Sequence, residues 1–124
     1  CNTSGPAKAE QDAINLAWES GVLIVAAAGN SGNNLRQCPA SAANVIAVSA
    51  TTSADTKASF SNYGNFIDIA APGVGIYNAI GTANSPGSFY TSWSGTSFSS
   101  PVVSGVAGLV WSADTTLTNQ EVED

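Results

Sequence analysis

Ser97 and Asn30 are the two residues whose type and position could support acyl-transfer chemistry. Ser97 follows Gly95-Thr96, where an extended segment turns into a predicted helix, so its backbone N–H lies at a helix N-terminus that favours negative charge. Asn30 follows the apolar run 22–28 and is expected at the carboxyl end of a buried strand, where open α/β sheets bind ligands. A serine nucleophile needs a base and oxyanion donors, and an Asn amide is one such donor.

Both residues also have a common structural explanation. A serine at the start of a helix usually caps that helix. An asparagine that follows glycine often adopts a left-handed turn. Their presence in one chain favours chemistry more than either residue does alone, but the residue types by themselves leave both explanations open.

The elements around these two residues predict an α/β fold. Helices are expected at 7–20 with Gly21 as C-terminal cap, at 97–111, and at 119–124 with Thr118 as N-cap. Short apolar runs predict strands at 22–28, 45–50, 66–70 and 75–80, and residues 88–94 are expected to be extended. This alternation is typical of a largely parallel sheet flanked by helices. The small residues of 97–111 favour a helix packed tightly in a core.

The composition excludes some classes of partner. The net charge of −6 leaves nothing to neutralise nucleic-acid phosphates, so we expect no nucleic-acid partner. No run of 18 apolar residues is present, so we expect no membrane span. An acidic surface favours cations such as calcium, although ordinary solubility charge explains it equally well.

The two cysteines, Cys1 and Cys38, are too few to define a disulfide framework. In an oxidising compartment they would pair with each other, or Cys1 would pair outside this chain. Two buried thiols are the alternative. With no histidine in the chain, a metal site built on these cysteines is disfavoured.

Several motifs, in this order and spacing, resemble the subtilase family of serine proteases. They are Ala26-Ala27-Ala28-Gly29-Asn30, Val45-Ile46-Ala47-Val48, Phe60-Ser61-Asn62-Tyr63-Gly64, Ala70-Ala71-Pro72-Gly73 and Ser94-Gly95-Thr96-Ser97-Phe98-Ser99-Ser100-Pro101. The resemblance extends over nearly the whole chain, from Ala7 to Trp111. It implies the subtilisin-like three-layer α/β architecture, incomplete here, with residues 1–124 forming the C-terminal portion of one catalytic domain.

The resemblance also implies roles for individual residues. Ser97 would be the acylating nucleophile of a serine endopeptidase that acts on polypeptides. The side-chain amide of Asn30 and the backbone N–H of Ser97 would bind the oxyanion. Ala27, Ala28 and Gly29 would line one wall of the primary specificity pocket, where small residues leave room for a bulky apolar substrate side chain.

A structural calcium site is implied at Ala43, Val45 and Asp68, because many family members hold calcium there through carbonyls and one carboxylate. Calcium prefers such oxygen ligands. Asp68 could equally be an ordinary carboxylate at a strand edge. No cofactor is expected for the chemistry itself.

The chain contains no histidine, although the subtilase triad requires Asp, His and Ser in that order. We therefore expect Asp and His from a segment outside this chain, and the N-terminal part of the same domain, in some cases as a separate chain, is the expected partner. The chain alone is predicted inactive. The alternative is a noncatalytic subtilase-like binding module, and a small-ligand α/β module is a third reading. The family and the low charge imply a secreted or extracytoplasmic location.

Overall fold

The computed structural model describes residues 6–79 and 89–124. Within these ranges the helices are α1 (Lys8–Glu19), α2 (Thr96–Ala113) and α3 (Asn119–Glu123). The strands are β1 (Val25–Ala27), β2 (Ile46–Thr51), β3 (Ile69–Pro72), β4 (Ile76–Ala79) and β5 (Tyr90–Trp93).

The caps of the first and last helices are those that the sequence predicts. Gly21, with φ of +82°, follows α1, and its N–H donates to the carbonyl of Trp18. The N–H of Val22 then reaches the carbonyl of Ala17, so the chain turns sharply into the sheet. At α3, Thr118 accepts the N–H of Glu121 in a reciprocal capping box.

The main sheet has three parallel strands in the order β1-β2-β3. Val25 pairs with Ile46 at the first junction, and Val48 pairs with Ile69 at the second. The largely parallel α/β architecture is therefore confirmed. The strand predicted at 22–28 is only three residues long, and the one predicted at 66–70 begins later, at Ile69.

The predicted fourth strand and the extended segment after it form a separate unit. β4 and β5 pair antiparallel in a two-stranded sheet, with Ile76 opposite Trp93. The residues predicted at 80 and 88 lie outside the described ranges. β5 ends next to the turn that carries Ser97, so this small sheet supports the nucleophile segment.

Alternating side chains of β2 divide the core into two layers. Ala47 joins Ile14 of α1 and Phe66 on one face of the sheet. Ile46 and Val48 point to the other face, where they meet Val103 of α2. The two helices thus cover opposite faces of the sheet, and the carboxyl ends of the strands lead to the loops that hold Asn30.

The tight packing predicted for residues 97–111 is present only in the first half of α2. Its buried residues are Thr96, Ser99 and Val103, all in the first half. Leu109, farther along, is 70% exposed, and Val106 is 55% exposed. Within the described residues, the second half of the helix is therefore only partly covered.

No helix within residues 6–79 and 89–124 combines the length and the apolar character needed to cross a bilayer.

Candidate active site

The turn that carries Ser97 is attached to the segment after β3 by two hydrogen bonds. The N–H of Gly95 donates to the carbonyl of Gly73 at 2.8 Å, and the N–H of Gly75 donates to Ser94 Oγ at 2.9 Å. Gly95 is buried, and α2 begins at the next residue. Ser97 lies in the first turn of α2 and is exposed.

Thr96 fixes the orientation of the Asn30 side chain. Asn30 Oδ1 accepts the backbone N–H of Thr96 at 2.8 Å and its hydroxyl at 2.9 Å. Thr96 Oγ1 in turn accepts the N–H of Gly29 at 3.2 Å, and Thr96 is fully buried. Because both hydrogen bonds use the amide oxygen, the amide NH₂ is left to donate elsewhere. Asn30 Nδ2 lies beside Gly95, 3.5 Å from where a Cβ would stand.

The structure therefore brings the two sequence-predicted residues together. Asn30 lies in the loop after β1, and Ser97 is the second residue of α2, 67 positions later in the chain. Thr96 connects them directly. The Asn30 amide therefore lies beside the N-terminus of the helix that carries the exposed Ser97, and oxyanion stabilisation in acyl transfer uses donors of these two kinds.

A second buried side chain, Asn62, holds the loop of Asn30 in place. Its Nδ2 donates to the carbonyl of Ala28 at 3.0 Å, and its Oδ1 accepts the N–H of Ser31 at 2.9 Å. Its backbone N–H donates to the carbonyl of Gly29 at 3.0 Å. Asn62 is fully buried. Sequence reasoning noted residues 60–64 only as a motif and missed this role, as it missed that of Thr96.

Glycine is required at position 29. Its φ is +103°, which L side chains rarely adopt, and an added Cβ would lie 2.6 Å from both Asn62 Nδ2 and Gln37 Oε1. Of the predicted pocket wall, Ala27 and Gly29 are half-buried, whereas Ala28 is fully buried in the core beneath the sheet. Ala28 therefore faces the site through its backbone and not through its methyl group.

No charged or histidine side chain stands near the nucleophile along the sequence. Residues 69–113 contain no Asp, Glu, Lys, Arg or His. Elsewhere, Lys57 donates to the carbonyls of Ala58 and Ser61, and Arg36 donates to Asn65. No carboxylate, amine or imidazole of residues 69–113 could therefore act as a general base for Ser97.

The residues predicted to bind calcium line one polar cavity of about 430 Å³, together with Asn65 and Glu123. Asp68 Oδ2 accepts the N–H of Ala47 at 2.7 Å. Gln11 binds both the N–H and the carbonyl of Ala43, although a carbonyl keeps a second lone pair. Among the described residues no three His, Cys, Asp or Glu side chains cluster as metal ligands, so a site here would depend on carbonyls.

The electrostatics of this cavity are mixed. Burial, and then the negative charges of Asp68 and Asp124, raise the pKa of Glu123 above its ordinary value. Two carboxylates near one another favour a cation, whereas the guanidinium of Arg36 in the same lining opposes one. The oxygen atoms of this lining are of the kind that calcium prefers, and the guanidinium is the group in it that opposes a cation.

The predicted Cys1–Cys38 disulfide stays a prediction, because Cys1 lies outside the described residues.

The whole chain, residues 1–124, matches the model of the subtilase family, peptidase S8. It is 48% identical over 109 residues to thermitase of Thermoactinomyces vulgaris, covering 88% of this chain and 37% of that protein. It is 50% identical over 117 residues to an extracellular protease of Xanthomonas campestris, covering 91% of this chain and 20% of that protein. It is 43% identical over 123 residues to alkaline elastase YaB of a Bacillus species, covering 99% of this chain and 31% of that protein.

Solved structures agree. A cold-adapted subtilisin-like serine proteinase superposes with a TM-score of 0.85 at 36% identity, covering 96% of this chain and 42% of that one. The self-cleaved protease domain of PatA superposes with a TM-score of 0.87 at 34% identity, covering 99% of this chain and 47% of that one. The chain thus spans less than half the length of these proteins. On its motifs, its fold and its full-length family match, it belongs to the subtilase family of serine proteases.

Proposed function

We propose that the complete protein is a serine endopeptidase that hydrolyses peptide bonds through an acyl-enzyme on Ser97. The observation that supports this most directly is the pair of hydrogen bonds from Thr96 to Asn30 Oδ1. They turn the Asn30 amide so that its NH₂ group is available beside the nucleophile. Residues 1–124 are then the C-terminal portion of the catalytic domain.

The chemistry follows from these groups. Ser97 Oγ attacks the substrate carbonyl, and its proton passes to a histidine outside this chain, oriented by an aspartate. The carbonyl oxygen becomes an oxyanion that accepts hydrogen bonds from Asn30 Nδ2 and the Ser97 N–H. Donors fixed before reaction cost no reorganisation when the charge develops. Water then hydrolyses the acyl-enzyme and releases Ser97.

Labelling of the nucleophile tests this proposal. The full-length protein is treated with a fluorophosphonate, which reacts with activated serines, and the modified residue is mapped by mass spectrometry. We expect label on Ser97 and none on the Ser97→Ala variant. Exposed Ser112, on the same helix, serves as an internal control that should stay unlabelled.

Two outcomes would contradict the proposal. If folded full-length protein takes no label at Ser97, the noncatalytic binding module is the better description. If residues 1–124 alone cleave peptides, the general base lies within this chain, against the absence of histidine.

The partner that we propose is the N-terminal part of the same catalytic domain, within one polypeptide or as a separate chain. The exposed second half of α2 supports this, because a helix that is apolar on all sides is stable only when covered on all sides. Mixing the two parts and measuring size by chromatography checks it. Residues 1–124 should elute in a stable 1:1 complex with that part, and the persistence of two separate species would contradict the proposal.

We also propose a structural calcium ion in the cavity lined by Ala43, Val45 and Asp68. One ion held by carbonyls and a carboxylate would tie the loop after β1 to the start of β3. Thermal unfolding in CaCl₂ and in MgCl₂ tests it. The melting temperature should rise with calcium, and Asp68→Asn should abolish the rise. Asp55→Asn, which changes an aspartate outside the cavity, should keep it.

Secretion is proposed as well, in keeping with relatives such as an extracellular protease. In an oxidising compartment Cys1 and Cys38 would form a disulfide. Mass spectrometry of the secreted protein, alkylated without reduction, should find neither cysteine modified. Alkylation of both would contradict the pairing.

A further inference from the structure

We propose that Asn62 is a positioning residue for turnover, because its buried carboxamide sets the shape of the loop that presents Asn30. The inference rests on the proposed function, since Asn30 is the oxyanion donor of that same site. It concerns the rate of the chemical step and not the choice of substrate. The neighbouring residue Ser61 is equally buried, but we assign it to the stability of the sheet alone.

The carboxamide of Asn62 bonds the backbone on both sides of Asn30. Its Nδ2 donates to the carbonyl of Ala28 at 3.0 Å. Its Oδ1 accepts the N–H of Ser31 at 2.9 Å and that of Asn33 at 3.4 Å. One side chain therefore holds the backbone that enters Asn30 and the backbone that leaves it.

This role complements that of Thr96. Thr96 reaches the loop from α2 and holds the side-chain oxygen of Asn30. Asn62 reaches it from the segment between β2 and β3 and holds the backbone. The position of Asn30 Nδ2 depends on both, because an amide with a fixed side chain still moves with its backbone. A misplacement of about 1 Å can cost about 10²-fold in rate.

The site of this carboxamide requires a donor and an acceptor on one short side chain. An asparagine amide supplies both, since its NH₂ donates and its oxygen has two lone pairs. Asn62 has no exposed surface, and a Cβ added to Gly29 would lie 2.6 Å from its Nδ2. A shortened side chain would leave the Ala28 carbonyl and the Ser31 N–H without these partners, so the loop must move or admit water to satisfy them.

The loop stays attached to the rest of the chain without the carboxamide. Three backbone hydrogen bonds of 2.7 to 3.0 Å join the two segments, from the N–H of Asn62 to Gly29, from that of Gly32 to Phe60 and from that of Tyr63 to Asn33. No side-chain substitution removes these groups, unless proline is introduced. Truncation of Asn62 should therefore change the internal shape of the loop without detaching it, and the variant should fold.

Ser61 provides a matched control at the adjacent position. It is fully buried, as Asn62 is. Its Oγ accepts the N–H of Ala50 in β2 at 2.9 Å and donates to the carbonyl of Asn62 at 3.1 Å. Neither of these two bonds reaches residues 28–33. Loss of either side chain breaks buried hydrogen bonds and should lower stability, but only the loss of the Asn62 carboxamide should displace the oxyanion donor.

Hydrolysis of a peptide p-nitroanilide by the full-length protein, with the melting temperature of each variant, tests the inference. Asn62→Ala should lower kcat by about tenfold or more and leave KM within about twofold, because an oxyanion donor acts in the transition state. Asn62→Ser, whose hydroxyl replaces only part of the amide, should lose less. Ser61→Ala should lower the melting temperature and leave kcat within about twofold. In an Asn30→Ala background, Asn62→Ala should cost less than about twofold further.

Fluorophosphonate labelling of Ser97 separates this inference from the proposed function. If the natural protein labels at Ser97 but Asn62→Ala changes only the melting temperature or only KM, the inference is overturned and the protease assignment stands. The same holds if Ser61→Ala lowers kcat as much as Asn62→Ala does, or if the losses from Asn62→Ala and Asn30→Ala are fully additive. If the folded natural protein takes no label at Ser97, both are overturned together.

Discussion

The two halves of α2 have similar compositions and very different surroundings. At the nucleophile end, Thr96 and Ser99 are fully buried, and hydrogen bonds join this end to the loop of Asn30. In the second half, Val106 and Leu109 are largely exposed. Neither half contains a charged residue, since none occurs in 69–113. The comparison indicates that this chain by itself encloses the first half of α2 and leaves much of the second half exposed.

Geometry explains the difference. α2 has 18 residues and is about 27 Å long. The longest strand of the sheet beneath it, β2, has six residues and spans about 20 Å, and three strands measure only about 10 Å across. A sheet of this size can contact only one side of the helix. Val106 and Val110 of the second half line a cavity with Ile46 and Ile69, the first residues of β2 and β3, while Leu109 is 70% exposed.

Shortening the side chain of Leu109 should have the largest effect on the free energy of unfolding. If it has no such effect, the two halves of α2 do not differ as described. In the complete protein, where we propose that the second half of α2 is covered, Leu109→Ala should lower the free energy of unfolding by about 2–5 kcal/mol. In the isolated chain the same change should matter by no more than about 0.5 kcal/mol, because the residue is 70% exposed. Urea denaturation of both proteins measures the two values.

Leu16 of α1 is the matched control for this prediction. It is a leucine of nearly equal exposure, 67%, on a helix with polar neighbours such as Asn15 and Glu19. Leu16→Ala should have a small effect in both the complete and the isolated chain. A small and equal effect of Leu109→Ala in both would mean that the second half of α2 stays uncovered.

Thr96→Val tests the other half of the helix. Valine keeps the shape of threonine but cannot donate to Asn30 Oδ1 or accept the N–H of Gly29, so the Asn30 amide loses one of its two anchors. We expect kcat of the complete protein to fall on the order of 10²-fold, approaching the loss of the oxyanion donor itself. Thr96→Ser should retain most of the activity, because it keeps the hydroxyl.

The double variant makes this test specific. If Thr96 acts through Asn30, then Thr96→Val in an Asn30→Ala background should cost little further activity, because residues in one hydrogen-bond network are not additive. Fully additive losses, with an unchanged melting temperature, would contradict a positioning role for Thr96.

Sequence reasoning identified the candidate site residues Ser97 and Asn30 but not the residues that hold them. Ser97 and Asn30 stand at a helix start and after an apolar strand, which are local patterns. Thr96 and Asn62 act through contacts 66 and 34 residues away, and nothing local marks such a partner. The sequence also does not predict that Thr96 is buried, because small residues occur in both halves of α2.

The predicted boundary of the strand at 66–70 is wrong for a related physical reason. The apolar pair at Phe66 and Ile67 predicts a strand, but Phe66 reaches the core from a turn, and regular pairing begins only at Ile69. Burial alone therefore does not distinguish a strand from a loop that is anchored by one aromatic side chain. The cap residues Gly21 and Thr118 were predicted correctly because capping depends on neighbouring backbone groups alone.

Ser99→Ala should change the free energy of unfolding less than Leu109→Ala does in the complete protein, and it should stabilise the protein instead of destabilising it. Ser99 Oγ is buried against Gly73, and it has no hydrogen-bond partner within the described residues. Removing a buried, unsatisfied hydroxyl should stabilise the isolated chain by about 1 kcal/mol. Ser104→Ala, which removes an exposed hydroxyl bonded to the carbonyl of Ser100, is the control and should be nearly neutral. Destabilisation by Ser99→Ala would indicate that the hydroxyl has a partner in the native protein.

The smallest expected effect concerns Glu123, which lines an apolar cavity with Val106 and Val110 of the exposed half of α2. Burial, followed by the charges of Asp68 and Asp124, raises its pKa above the ordinary value of 4.5. The folded state therefore favours the protonated form. The stability from this group is fully present below pH 4.5 and is lost as the pH rises through the folded pKa. Glu123→Gln should thus be more stable than the natural chain at neutral pH, with the difference vanishing in acid.

Glu121, two residues earlier in the same helix, is the control for Glu123, because its pKa is shifted in the opposite direction. Hydrogen bonds from the backbone N–H and the hydroxyl of Thr118 lower its pKa. Its stabilising effect is present above the ordinary pKa and is lost as the pH falls through the folded value, so Glu121→Gln should destabilise the neutral protein. Urea unfolding between about pH 3 and pH 8 measures both variants. If the two variants gave parallel pH profiles, the surroundings of the second half of α2 would not raise the pKa of Glu123, and this half would be even less covered than the structure indicates.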